Sequence, residues 1–158
     1  MKFVTKWLSF ITLFAAILVL TSCGGDDPEK SEEEVQLDKL RGAWTLTSVV
    51  NDGIDRTDEY VNMEINLTGT YTEGGVYNLT STADEWPNLT PWNDNDTWKF
   101  NSSDVNGTIV RQSDLQDMDY ELSNSDRQLV IEFQYGGPGF NNGRTASVNG
   151  NWVFTFSK

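Results

Sequence analysis

Apolar and polar residues alternate with a period of two along most of the chain after Gly42. This alternation is typical of β-strands that have one buried face and one solvated face. The segments that carry it are residues 44–48, 61–67, 71–79, 98–100, 108–111, 118–122, 129–135 and 152–156. The pattern therefore predicts about eight strands with short connections between them.

Turn and helix signals separate these segments. Glu73-Gly74-Gly75 and Asn106-Gly107 are typical of tight hairpin turns. Helical periodicity is weak almost everywhere, and the best candidate for a helix is Glu33 to Arg41, which has Leu37 and Leu40 on one side. We expect one short helix ahead of the first strand.

A meander of amphipathic strands must either stack into two sheets or close on itself, because exposed strand edges invite aggregation. We therefore predict an all-β fold, an antiparallel up-and-down meander of about eight strands that closes into a β-barrel, with a β-sandwich as the alternative. An eight-stranded barrel is only just wide enough to be filled or hollow, and the many large aromatic residues predict a largely filled interior. The residues expected to face inward are Trp44, Leu46, Trp98, Phe100, Tyr120, Leu122, Ile131, Phe133, Trp152 and Phe154.

The N-terminus has the features of an export signal. Lys2 and Lys6 precede the apolar segment Leu8 to Leu20, which is short for a membrane span of ~30 Å. Leu20-Thr21-Ser22-Cys23 resembles the lipobox of bacterial lipoproteins, and this resemblance implies that Cys23 becomes the first mature residue and carries acyl chains such as palmitate. The alternatives are an ordinary signal peptide with a chance cysteine and an N-terminal membrane helix.

These observations divide the chain into residues 1–22 as signal peptide, residues 23–36 as an acidic tether beginning at the lipidated Cys23, and residues 37–158 as the folded domain. Gly24 follows the cysteine, which in lipoproteins permits sorting to the outer membrane. Asp26-Asp27 resembles the surface-export signals of some Gram-negative lipoproteins, although a plain solubilising linker explains the acidic run equally well. Whether the domain faces the cell surface or the periplasm stays open.

The segment from Leu40 to Leu46, LRGAWTL, resembles the start of the lipocalin fold, in which Gly-x-Trp follows a helical turn and the Trp closes one end of the barrel. Together with the lipobox and the terminal GNWVFTFSK, it resembles the lipocalin-like domains of bacterial lipoproteins. The resemblance implies a small apolar or amphipathic ligand. The arginine that covers the tryptophan in that family has no clear counterpart, with Arg127 and Arg144 as candidates. The alternative is that Trp44 belongs to the core of another β fold.

Charge and composition exclude several function classes. The chain has 24 acidic and 11 basic residues and a net charge of −13; removal of the signal with its two lysines makes it −15. Such a charge disfavours nucleic acid as a partner. The chain has no histidine, and its single cysteine is assigned to the lipid, so Ser-His and Cys-His catalysis and His/Cys zinc sites are excluded. We predict no enzyme activity and no cofactor, although a two-carboxylate glycosidase stays formally open.

Three loops are candidates for binding. Tryptophans in the Pro-containing loop Trp86–Trp92 could stack on sugar rings or fold back as a lid, and Phe140 lies in the glycine-rich residues 136–143, a hairpin connection or a gate. Oxygen-rich residues 51–59 and 93–96 would suit calcium, but ordinary turn chemistry explains them as well, and neither has EF-hand spacing. The proposed ligand-contacting residues are Trp44, Trp86, Trp92, Trp98, Tyr120, Phe133, Phe140 and Trp152. A glycan-binding or adhesive module, or a structural part of an envelope complex with an unidentified protein partner, is the alternative to the small-ligand hypothesis.

Overall fold

A computed structural model describes residues 29–87, 90–140 and 148–158. Ser31–Lys158 forms one compact unit, which opens with helix α1, Glu32–Leu40. The Ser31 side chain caps the helix by accepting a hydrogen bond from the Glu34 backbone N–H at 3.2 Å, and three glutamates in the first turn suit the positive end of the helix dipole. The helix therefore belongs to the compact unit.

In the described residues, nine strands follow the helix in a single antiparallel sheet, and a 3₁₀ helix, Thr57–Glu59, lies between the second and third strands. The strands are β1 (Gly42–Asn51), β2 (Ile54–Asp55), β3 (Glu64–Thr68), β4 (Tyr77–Thr82), β5 (Asn95–Phe100), β6 (Thr108–Arg111), β7 (Asp117–Ser123), β8 (Gln128–Tyr135) and β9 (Gly150–Ser157). Tyr71, which the pattern placed in a strand, lies in the loop between β3 and β4.

The sheet closes because β1 pairs with β9 as well as with β3. Eight strands in up-and-down order therefore form a barrel, and β2 is a short ninth strand that pairs only with the end of β1. The predicted barrel is confirmed in preference to the sandwich. Among the described residues, no helix is long and apolar enough to cross a membrane.

A β-bulge changes which residues of β1 face inward. The register of β1 against β9 shifts between Leu46 and Ser48. As a result Val49 is buried with Trp44, and Ser48, which simple alternation placed on the same face as Trp44, is only half-buried. A bulge puts two residues of one strand opposite one residue of its partner and so reverses the alternation beyond it.

Helix α1 covers one end of the barrel, here called the closed end. Leu37 and Leu40 are buried, and the Trp44 indole N–H donates to the Leu40 carbonyl at 2.7 Å. The cation over Trp44 is Lys158, whose Nζ lies 4.0 Å from the ring centroid and donates to the carbonyls of residues 39 and 41 at 2.8 Å each. Partial burial lowers the pKa of this ammonium.

Arg127, one of the two arginines proposed for that position, does not occupy it. Arg127 contributes its backbone carbonyl, which accepts a hydrogen bond from the Lys158 N–H at 3.0 Å. Arg144 lies outside the described residues. Lys158, from the last strand's end, therefore supplies the cation that covers Trp44.

The barrel interior is filled by side chains in the described part of the chain. Trp44, Val49, Ile65, Phe154 and Phe156 each have 0% exposure, so no void that admits water adjoins them. The three aromatic residues of β9 lie nearly parallel, with ring centroids 5.8 and 6.3 Å apart and interplanar angles of 16° and 14°. Aromatic packing of this density leaves the barrel with a solid core.

Candidate functional site at the open end of the barrel

Five of the eight proposed ligand-contacting residues gather at the end of the barrel opposite α1, here called the open end. They are Trp86, Trp92, Phe133, Phe140 and Trp152, which come from the loop between β4 and β5, from β8, from the loop after β8 and from β9. The other three have no ring contact with this group among the described residues: Trp44 lies under α1, Trp98 packs on Tyr77 and Phe100, and the Tyr120 hydroxyl donates to the Val105 carbonyl. The sequence prediction thus combined two separate sets of residues.

Trp92 enters the barrel as a plug. It is 1% exposed although it belongs to a loop, and its ring lies 5.0 Å from that of Phe154 and 6.1 Å from that of Phe133. Its indole N–H donates to the Ser81 hydroxyl on the inner face of β4. The loop is therefore a lid that fills the open end with an aromatic side chain, and Trp92 offers no exposed ring for stacking on a sugar.

Arg111 lies beside the plug and is 1% exposed. Its Nε and Nη2 donate to the two carboxylate oxygens of Asp114 at 3.0 and 2.7 Å, and its Nη1 donates to the Pro91 carbonyl at 2.8 Å. The guanidinium carbon also lies 5.1 to 5.6 Å from the ring centroids of Phe140, Phe133 and Tyr135. A buried guanidinium of this kind requires a paired carboxylate and hydrogen bonds, and both are present.

Tyr60 links the lid to the barrel wall. Its ring packs edge to face against Trp86, Trp152 and Phe154, with centroid distances of 6.2, 6.5 and 5.6 Å. Its hydroxyl lies 3.2 Å from the Thr90 hydroxyl, and burial raises the pKa of this phenol well above its usual value. Trp86 is only half-buried, so it forms the rim of the lid where Trp92 forms its inner face.

The loop after β8 also contacts the lid. The Phe140 N–H donates to the Thr90 carbonyl at 2.9 Å, and its ring contacts the guanidinium of Arg111. Residues 141–147, which include the last three of residues 136–143 of the predicted gate, lie outside the described residues, as do residues 88 and 89 of the lid. The described first part of this loop therefore contacts the lid and Arg111 through Phe140.

The oxygen-rich loops use their carboxylates to hold turns. Asp55 accepts hydrogen bonds from the Thr57 backbone and hydroxyl at 2.9 and 2.6 Å, and the hydroxyl bond is the main reason why its pKa is lowered. Asp96 accepts from the Thr97 N–H and from the N–H and hydroxyl of Ser113. Within residues 29–87, 90–140 and 148–158, no three His, Cys, Asp or Glu side chains come together as metal ligands.

Sequence reasoning missed Arg111, although the sequence contains a signal for it. Ile109 and Arg111 are two residues apart in a strand and so share its inward face. Asp114 follows three residues later and supplies the opposite charge. A charge at an inward position with a nearby partner of opposite sign is the pattern that would have identified it.

The chain matches no family model and no curated protein. Among solved structures, a redesigned β-barrel aligns with 77% of this chain and 93% of its own at 11% identity and a TM-score of 0.38.

Proposed function

We propose that this protein is a lipid-anchored, non-catalytic envelope lipoprotein with a lipocalin-like barrel, and that it binds an amphipathic anion at the open end when the Trp92 plug moves aside. The observation that carries this proposal is the buried guanidinium of Arg111 beside a removable aromatic side chain. Arg111 would hold the anionic head group, and the space vacated by the indole would take the apolar part of the ligand.

The hydrogen bonds of Arg111 would allow a ligand carboxylate to take the place of Asp114. Its present carboxylate partner, Asp114, belongs to the short loop between β6 and β7, and the side chain of this aspartate is 27% exposed. Three of the five guanidinium N–H groups make hydrogen bonds to described residues, in the forked geometry that suits a carboxylate. A ligand carboxylate could replace Asp114 without leaving the arginine unpaired.

The same arginine would couple the head group to the plug. Its Nη1 binds the carbonyl of Pro91, which directly precedes Trp92 in the lid. An anion that took over this N–H would release the lid at the residue that positions the indole. Binding of the head group and opening of the barrel would then favour each other, because each removes a contact that opposes the other.

The lipocalin-like part of the proposal has support at the closed end. Gly42-x-Trp44 follows α1, and the indole of Trp44 is bonded to the end of that helix and covered by a cation. The lipobox ending at Cys23 supports lipid attachment and outer-membrane localisation. The absence of histidine from the whole sequence supports a binding role rather than catalysis.

Binding of laurate, compared with dodecanol of the same chain length, tests the ligand class. The compact unit Ser31–Lys158 would be titrated with each, using tryptophan fluorescence and native mass spectrometry. We expect laurate to bind at least tenfold more tightly than dodecanol, and Arg111→Met to abolish this preference. The matched control is Arg56→Met, which removes a surface arginine paired with Glu59 at 2.8 Å. Equal binding of acid and alcohol, or no binding of either, would refute the proposal.

The anchor is tested separately in cells. Labelled palmitate should be incorporated into the wild-type protein and not into Cys23→Ala, and the wild-type protein should fractionate with the outer membrane. Protease treatment of intact cells then shows which face carries the domain. A Cys23→Ala variant that keeps the label would refute lipid attachment at this residue.

A further inference from the structure

The outer face of strands β3, β4 and β5 carries a repeated triplet. Each strand contains Asn-x-Thr: Asn66-Leu67-Thr68, Asn78-Leu79-Thr80 and Asn95-Asp96-Thr97. Because side chains alternate between the two faces of a strand, the asparagine and threonine of each triplet share the outward face; the middle residues Leu67 and Leu79 are buried, whereas Asp96 is half-buried and bonds Ser113. Three neighbouring strands thus present the same pair of neutral polar side chains.

Strand register arranges the six side chains in a checkerboard. Thr80 pairs with Asn66 on one side and with Asn95 on the other, while Asn78 pairs with Thr68 and Thr97. Sheet geometry spaces neighbours by about 4.8 Å across the strands and about 6.7 Å along them. These six residues, Asn66, Thr68, Asn78, Thr80, Asn95 and Thr97, are called the Asn/Thr array below.

The polar groups of the array are available for a ligand. None of the six side chains makes a hydrogen bond to another described residue, and Asn78, Thr80 and Asn95 are exposed. An open depression of about 510 Å³ lies over the β4–β5 part of the array, with Gln112 and Ser113 along one edge, and the carboxylate of Asp96, which is bonded to Ser113, also lines it. Amides and hydroxyls both donate and accept hydrogen bonds, so this surface can satisfy a partner that does the same.

The six side chains of the array are neutral, in contrast to the carboxylates on the opposite wall of the barrel. The outer face of β7 and β8 carries Asp117, Asp119, Glu121 and Glu132, and two of these carboxylates, Asp119 and Glu132, are cross-strand partners. The Asn/Thr array has no ionisable side chain, although the whole chain has 24 acidic residues. If this face served only to keep the protein soluble, we would expect charged residues at these six positions as well. Glu64 and Lys99 border the array on the outer face of β3 and β5, and their charges are opposite, so this face has no basic patch that would attract nucleic acid or acidic lipid.

We infer that the Asn/Thr array binds a neutral polysaccharide chain lying across strands β3 to β5. An apolar protein surface would have to desolvate the amides and hydroxyls without offering hydrogen bonds in return. Sugar hydroxyls donate and accept at every residue of a neutral glycan, so they can pair with both kinds of side chain in the array. This site is on the outer wall and is independent of the ligand proposed for the open end.

Affinity electrophoresis of the full chain tests the inference. The protein, purified in a detergent without sugar head groups, would be run through gels that contain dextran, laminarin, galactomannan, alginate or polygalacturonate. We expect at least one of the three neutral polymers to retard the protein and neither of the two acidic polymers to do so. The variant Thr80→Val/Thr97→Val keeps the shape and β-propensity of both positions and removes two hydroxyls, and we expect it to weaken retardation at least tenfold.

The control variant Thr45→Val/Thr155→Val makes the same chemical change on outward positions of β1 and β9 and should bind like the wild type. When the polymer that retards the protein is added, the changes in backbone amide NMR chemical shift should be largest at Asn78, Thr80 and Thr97. Failure of all three neutral polymers to retard the wild type would overturn the inference. Equal loss in the two double variants, or shifts confined to the open end, would overturn it as well.

Discussion

Truncation of the plug, Trp92→Ala, should destabilise the barrel more than any other substitution in the lid. The indole is 1% exposed, contacts the aromatic rings of β8 and β9, and makes a hydrogen bond to Ser81. Truncation of a buried Trp or Phe typically costs about 3–5 kcal/mol, which includes the cavity that is left. For a domain of this size each kcal/mol corresponds to roughly 3–5 °C in Tm, so we expect Tm to fall by roughly 10–20 °C.

Trp86→Ala provides the matched control, because it removes the same side chain from the same loop. Trp86 is half-buried, and among the described residues its ring packs edge to face on Tyr60. An aromatic pair of this kind contributes about 0.5–1.5 kcal/mol beyond area burial. We therefore expect urea unfolding, followed by circular dichroism, to show at least twice the loss for Trp92→Ala that it shows for Trp86→Ala.

Free indole adds a second measurement to the same experiment. If the Trp92→Ala variant keeps the cavity, indole in the millimolar range should raise its Tm by several degrees and leave the wild-type Tm unchanged, because a ligand stabilises only the state to which it binds. A loss of less than about 1 kcal/mol for Trp92→Ala, or a loss no larger than that of Trp86→Ala, would refute the assignment of Trp92 as a packed plug.

Three other predictions concern the barrel itself. Gly150→Ala should cost roughly 1–3 kcal/mol in chemical unfolding, because φ is +140° there and a Cβ would lie 2.5 Å from the Asn51 amide nitrogen; a neutral effect would contradict the backbone geometry. Lys158→Met should lower stability by about 1 kcal/mol through loss of the cation over Trp44, whereas Lys99→Met on the outer wall should not. Burial raises the pKa of Tyr60 above the ordinary value of 10.0, so the unfolded chain ionises first as the pH rises. The contribution of Tyr60 to stability is therefore intact below pH 10.0 and is lost at higher pH. Between pH 9 and 11.5 the Tm of Tyr60→Phe should fall less steeply than that of the wild type, and equal slopes would exclude this assignment.

The strands were predictable because each carries its own alternation. Residues 129–135 and 152–156 place a large apolar side chain at every second position, and they lie within β8 and β9. The bulge in β1 was not predictable in this way, since Trp44 to Ser48 alternates in the sequence and the register shift arises only from pairing with β9, about 100 residues later. Closure of the barrel could be expected from the need to protect edges, but its extra strand β2 could not, because two residues are too few to show a period.

The open end was only partly predictable for a related reason. The two prolines near Trp86 and Trp92 indicated a loop, and the alternatives of lid and exposed aromatic platform could not be separated from the sequence. Which tryptophan turns inward depends on partners from distant strands, namely Ser81 for its N–H and Phe133 for its ring. Long-range contacts of this kind leave no local periodicity.

Closure through β1 and β9 has a consequence for how the chain matures. Thr45 pairs with Ser157, so the contact that completes the cylinder joins residues 112 positions apart and can form only after the last strand has emerged. A nascent chain that stops before Gly150 would present two unpaired edges, on β1 and β8, each able to recruit another molecule. Chaperones should therefore matter most for products that lack the final eight-residue strand, and removal of this strand should be the fastest route to inclusion bodies.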